Sequence, residues 1–177
     1  MTHTIRKATT DDAGALADLA AVTFPLACPP SSSPEDIATH LANTLSEDHF
    51  RGYLTDPNTL ILVLDVEGVL RGYSLLVNRQ AQDPDVAEAL TLGPSIELSK
   101  CYVHPEHHGL GAAAELMHAS LEAATAAGAA GIWLGVNSQN ARAVRFYEKS
   151  GFRKVGSKSF RLGTTVEHDF VMERAVP

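Results

Sequence analysis

Ile96-Glu97-Leu98-Ser99-Lys100-Cys101-Tyr102-Val103-His104-Pro105-Glu106-His107-His108-Gly109-Leu110-Gly111-Ala112-Ala113-Ala114-Glu115-Leu116-Met117 is the stretch from which the rest of the chain is best read. A β-rich run, Ser95 to Val103, passes through a turn with two glycines into an Ala-rich helix expected over Gly109 to Ala127. Such a junction aims several unpaired backbone N–H groups and the positive end of a helix dipole at one spot. An anion is expected to bind there, although Gly109 and Gly111 alone would equally suit a plain tight turn.

Gly109-Leu110-Gly111-Ala112-Ala113-Ala114 also fits the dinucleotide fingerprint G-x-G-x-x-A. That reading lacks its ribose-binding acid, because no Asp or Glu lies between Ala123 and Glu148, and the glycines do not directly follow the strand. Too little chain remains for the second half of such a fold. His104, His107 and His108 invite a metal, but Pro105 and Gly109 oppose the helix that would converge them, and Glu106 is the only adjacent carboxylate. A solvated loop without metal is the expectation.

Working outward, a strand at residues 4–8 leads through Thr9-Thr10-Asp11-Asp12 into a helix with Leu16, Leu19, Ala20 and Phe24 on one face. Pro25 to Pro34, with four prolines and three serines, is expected to be a loop. Ser33-Pro34-Glu35-Asp36 then starts a helix carrying Ile37, Leu41 and Leu45, and Phe50, Tyr53 and Leu54 suit a third, short one. Thr59 to Val66 and Val69 to Asn78 read as a hairpin around Glu67-Gly68, and residues 79–94 as a connecting loop. Downstream come a strand at Ala130 to Val136, a helix from Ser138 to Lys149 closed by Gly151, and strands at about 152–160 and 164–174. The two late strand-helix-strand units predict an α/β fold, a mixed sheet with helices on both faces.

At 177 residues the chain suits one domain. Fourteen Lys plus Arg against 21 Asp plus Glu leave a net charge of −7, the wrong sign for nucleic acid or an anionic membrane and the right one for a small cation. The longest strongly hydrophobic run, Leu60 to Leu64, falls far short of the ~20 residues of a membrane span. Arg6, Lys7, Asp11 and Asp12 leave no apolar signal-peptide core, so the expectation is a cytoplasmic protein with Cys28 and Cys101 as reduced thiols.

The strand, turn and helix around His108-Gly109-Leu110-Gly111-Ala112-Ala113 resemble the acetyl-CoA-binding motif of the GCN5-related N-acetyltransferases, the GNAT family. His108 departs from that pattern, which opens with Gln or Arg. Ile132-Trp133-Leu134-Gly135-Val136-Asn137-Ser138-Gln139-Asn140-Ala141-Arg142-Ala143-Val144-Arg145-Phe146-Tyr147-Glu148-Lys149-Ser150-Gly151-Phe152 resembles the family's second motif, a strand followed by a helix bearing Asn and then Tyr. Among its members the likeness is greatest to bacterial spermidine/spermine N-acetyltransferases.

The resemblance implies a GNAT fold over residues 1–177, with a mostly antiparallel sheet of about seven strands, and acetyl-CoA as co-substrate. It implies that Cys101, Tyr102 and Val103 meet the pantetheine arm and that His108, Gly109, Leu110, Gly111, Ala112 and Ala113 wrap the pyrophosphate. Asn140, Ala143 and Lys149 would also hold acetyl-CoA, and Tyr147 would protonate the departing thiolate. Asn140 and Tyr147 stand seven apart, two turns along one helix face. A lysine-like amine with a pKa near 10.4 costs roughly 4.6 kcal/mol to deprotonate at pH 7, so a base is needed. Glu97 is the candidate, against the alternative of an ion pair with Lys100. Trp133 is expected in the core, and Glu35, Asp36, Glu47 and Asp48 as first-turn charges or as an attractor for a polyamine. The leading expectation is transfer of acetyl to a small cationic amine. The alternatives are a protein or peptide N-acetyltransferase and a non-catalytic acyl-CoA-binding module; a homodimer is left open.

Overall fold

Burial along Thr59–Val66 (β2) and Val69–Val77 (β3) is nearly continuous, as expected of central strands covered on both faces. They form the expected hairpin, with both turn residues at positive φ, Glu67 at 52° and Gly68 at 88°, the geometry that matches strand twist. The computed structural model describes residues 2–177. Five further strands complete the sheet: His3–Lys7 (β1), Ser95–Val103 (β4), Gly131–Asn137 (β5), Arg153–Leu162 (β6) and Thr165–Ala175 (β7). Their order is β1-β2-β3-β4-β5-β7-β6, antiparallel throughout except for the parallel pair β4 and β5.

Helices cover both faces. On one, Leu16, Leu19 and Phe24 of Ala13–Ala27 (α1) and Phe50 of Glu47–Thr55 (α3) pack on Ile61, Val63, Tyr73 and Leu75. Pro34–Thr44 (α2) adds Ile37 and Leu41 to this layer. On the other, Met117 and Leu121 of Ala112–Ala126 (α5) meet Leu76, Leu98, Ile132 and Leu134, and Ala141–Lys149 (α6) lies against the same cluster. Among the described residues no helix is long and apolar enough to cross a membrane.

Three expectations need correction. The expected loop from Pro25 begins later, because α1 continues one turn to Ala27 with Pro25 inside it. A proline forfeits only its own N–H, and the burial of Phe24 holds the preceding turn. The helix expected from Gly109 starts at Ala112, since Gly109 and Gly111 both sit at φ 80°, the left-handed region that no α-helix uses. The connecting loop 79–94 contains a six-residue helix, Pro84–Ala89 (α4), capped by Asp83. Its Val86 is fully buried on Trp133 and Val171, so the core position expected for Trp133 exists because α4 covers it.

Strands β4 and β5 pair only over Ser95–Glu97 against Gly131–Trp133, and then part. Opposite β3, Leu75 faces Lys100 and Leu76 faces Leu98, which leaves Ser99 as an extra residue. This bulge bends β4 away from β5 and opens the sheet between them.

Candidate active site

The parting strands line a cavity of about 660 Å³. Every residue from Glu97 to Val103 faces or borders it, together with Gly135, Val136 and Asn137 of β5. Strict alternation would put Glu97 and Lys100 on opposite faces of the sheet. The Ser99 bulge puts both on the α1 face, since their β3 partners Val77 and Leu75 both pack into the α1 cluster. Tyr102 joins them there, while Cys101 turns toward the α5 and α6 side.

Glu97 is half-buried, and burial raises its carboxyl above the ordinary glutamate value, with Lys100 and Lys158 pulling back. No carboxylate lies within ion-pair distance of Lys100 among the described residues; its Nζ donates to the Ser99 carbonyl at 3.3 Å. Burial holds the Lys100 ammonium below the ordinary lysine value against the opposing charge of Glu97, with Lys158 adding to the shift. The Cys101 thiol is pushed up to about 12 by burial and stays neutral.

At the other end of β4, residues 105–107 form a single 3-10 turn with His104 as its cap, His104 Nδ1 accepting from the Glu106 N–H. The His108 ring donates from Nε2 to the Val103 carbonyl at 2.7 Å, which ties this turn to the strand end. No cluster of three or more metal-ligating side chains occurs among the described residues, the three histidines having these separate environments. Beyond His108, the backbone N–H groups from Gly109 to Ala114 find no acceptor among the described residues, and Gly111 offers no capping side chain. Left-handed glycines on either side of Leu110 curve these donors into a concave nest at the start of α5. Leu110 projects outward at 69% exposure, Ala112 packs into the core with Leu64 and Leu116, and Ala113 borders the cavity.

Helix α6 brings Asn140, Ala143 and Tyr147 to the same cavity. Asn140 is its N-cap, with Oδ1 accepting from the Ala143 N–H at 3.2 Å. The Tyr147 ring packs edge-on to Phe152 at 5.8 Å, and its hydroxyl has no hydrogen-bond partner among the described residues. Burial, followed by the neighbouring Cys101 and Tyr102, raises it well above the ordinary tyrosine value, so the hydroxyl keeps its proton. Lys149 is exposed at the last turn of α6 and does not line the cavity.

The sequence reading missed the far wall. Phe24, Leu26, Ala27, Cys28 and Pro29 reach the cavity because α1 runs past Pro25. Lys158 and Phe160 of β6, and Glu167 and Asp169 of β7, complete it. Lys158 and Asp169 stand opposite each other in the ladder and pair at 3.4 Å. The only signal in the sequence was alternation of polar residues on the last two strands, which an ordinary solvated edge also shows. Glu35, Asp36, Glu47 and Asp48 lie outside the cavity lining; Asp36 accepts from Thr164, and Glu47 and Asp48 both bind Arg51.

The architecture is shared with enzymes of known structure. The PaiA N-acetyltransferase of Thermoplasma acidophilum, crystallised with coenzyme A, superposes with a TM-score of 0.78 at 20% identity over 99% of each chain. The ribosomal-protein-S18-alanine N-acetyltransferase of Escherichia coli superposes at 0.67 and 19% identity, covering 99% of this chain and 94% of that one. An uncharacterized N-acetyltransferase of Mycobacterium tuberculosis is 47% identical over 163 residues, 92% of this chain and 97% of its own. Residues 28–168 match the acetyltransferase (GNAT) domain, and with that relative they establish that the chain belongs to the GNAT family and is an acetyltransferase.

Proposed function

We propose that this enzyme moves the acetyl group of acetyl-CoA to a primary amine, a small cationic amine of the polyamine kind, by direct attack of the amine on the thioester. The observation that carries the reading is the parting of β4 and β5. It lets Glu97 from one face of the sheet and Tyr147 from the other reach a single cavity.

The chain's own groups fit that co-substrate. The unfilled N–H groups from Gly109 to Ala114 suit a pyrophosphate, and need no side-chain charge to do so. This makes the departure at His108 tolerable, because His108 serves the Val103 carbonyl and the backbone serves the anion. Cys101, Tyr102 and Val103 border the cavity on the unpaired part of β4, where their backbone groups suit the amides of a pantetheine arm. Asn140 and Ala143 border the same side from α6, and Lys149 stands in solvent within reach of a phosphate only by extension.

In the reaction, Glu97 takes a proton from the ammonium of the acceptor, directly or through water. The freed nitrogen lone pair forms the C–N bond, and backbone N–H groups near Val103 meet the oxyanion. As the C–S bond breaks, Tyr147 gives its proton to the thiolate, and the nitrogen, still cationic after attack, releases its second proton to the tyrosinate or to water, which resets the acid. The thiolate, whose thiol has a pKa near 8.5, is a weaker base than tyrosinate near 10, so this transfer is uphill by about 2 kcal/mol for an ordinary tyrosine, and the raised Tyr147 pKa adds to that cost. The net −7 charge draws a cationic acceptor toward the protein.

Thiol release from acetyl-CoA by the purified protein, assayed with polyamines, monoamines and peptides, tests the reading. Turnover with spermidine well above that with peptides is expected. Activity toward peptides with none toward polyamines would overturn the acceptor class, and no release with any amine would overturn the reaction.

A further inference from the structure

On the far wall of the cavity, Asp169 is 93% shielded from solvent, yet only one of its two carboxylate oxygens has a partner. Oδ2 faces the Lys158 ammonium at 3.4 Å, while Oδ1 is buried without any hydrogen-bond donor among the described residues. A buried carboxylate oxygen without a donor is a standing cost to the fold, and such groups persist where a ligand supplies the donor. Asp169 itself lines the cavity. Gly135 lies beneath it, and a Cβ there would come within 2.5 Å of Lys158 Cε and 3.3 Å of Asp169 Oδ2. The bare backbone at 135 leaves room for the Lys158 side chain to reach Asp169 from one side.

Glu167, two residues earlier on β7 and therefore on the same face, also lines the cavity. Phe24 and Phe160 flank His40, with ring centroids 4.6 and 5.4 Å from it, and give the wall an apolar surface. Two carboxylates beside aromatic rings are complementary to an ammonium carried on an aliphatic chain. Burial raises the Asp169 carboxyl above the ordinary aspartate value and Lys158 pulls it back; that ammonium pairs with Oδ2 and leaves Oδ1 without a donor.

We propose that Asp169 Oδ1 is the docking group for a second, non-reacting ammonium of the acceptor, so that the enzyme selects diamines over monoamines of the same length. The inference rests on the acetyl-transfer reading and deepens it. Asp169 handles no proton in the reaction; it sets where the acceptor lies and which acceptor stays.

The test compares 1,4-diaminobutane with butylamine. The parent enzyme should favour the diamine by about 10- to 100-fold in kcat/KM, the range of one charge-assisted hydrogen bond. Asp169→Asn should bring the ratio to within about threefold, with the larger loss in the diamine KM, while Asp169→Glu should restore part of the preference. A second arm titrates 1,4-diaminobutane into protein saturated with coenzyme A, where Asp169→Asn should weaken binding at least tenfold. This arm decides the role of Asp169 even if no amine is acetylated, a result that would refute the reaction but not the docking site. A diamine preference or affinity within twofold of the parent in folded Asp169→Asn overturns the proposal. So does a parent enzyme without any diamine preference or binding, which settles the matter even if the variants do not fold.

Discussion

Tyr147 and Glu97 meet the same cavity with opposite protonation needs, and burial moves the pKa of both upward. A raised tyrosine pKa keeps the proton that the acid must deliver. Tyr147→Phe removes that proton while retaining the ring contact with Phe152, so kcat should fall by about 100-fold with the acetyl-CoA KM within twofold. A kcat within twofold of the parent would mean that the hydroxyl is idle. A raised glutamate pKa makes Glu97 the stronger base once the pH is high enough to ionise it. The acid limb of kcat/KM should therefore lie above the ordinary glutamate range, and Glu97→Gln should lower kcat by at least about 100-fold. The same shift has a thermodynamic sign. A carboxyl whose folded pKa is raised contributes stability fully present below its unfolded value and lost as pH rises through the folded one. Glu97→Gln should accordingly melt higher than the parent at pH 7 while being slower, and a lower Tm would show that the Glu97 charge is compensated within the fold.

The segment from α4 to β4 shows how an element unremarkable in sequence can hold a site together. Glu173 of β7 is completely buried beside Trp133, and its carboxylate accepts from the Thr91 and Leu92 N–H groups and from Thr91 Oγ1, with Arg153 as an ion-pair partner at 3.7 Å. Arg153 is mostly exposed, so the loop donors do most of the holding. They pin residues 91–92 onto the sheet just before β4 pairs with β5, the only stretch where those strands touch. Glu173→Ala should cost about 3 kcal/mol in urea unfolding, because it removes the hydrogen bonds that a buried carboxylate makes to the loop. A cost under 1 kcal/mol would show that α4 and its loop are held by Val86 packing alone. The helix itself was not readable in advance. Six residues, two of them alanine and one proline, make too short a window for periodicity, and its stability comes from the Trp133 face that it covers.

Over the whole molecule, the −7 charge acts at longer range than any pocket residue. The kcat/KM for a polycationic acceptor should fall several-fold as ionic strength rises from about 0.05 to 0.5 M, since the screening length shortens from about 14 to about 4 Å. A flat profile would mean that attraction is confined to the cavity wall. The sequence was informative wherever the cause of structure is local: the Ser33 cap, the Glu67-Gly68 turn, and the helix that carries Tyr147 with Gly151 at its end are all set by residues within a few positions of one another. One family motif lies in that last helix, which is why Tyr147 could be put forward as a candidate from the sequence. The bulge at Ser99, the parting of β4 from β5, and the meeting of Lys158, Asp169 and Gly135 could not be read in this way. They depend on register and twist between strands far apart in the chain, and those are fixed by how the two helical layers pack on the whole sheet.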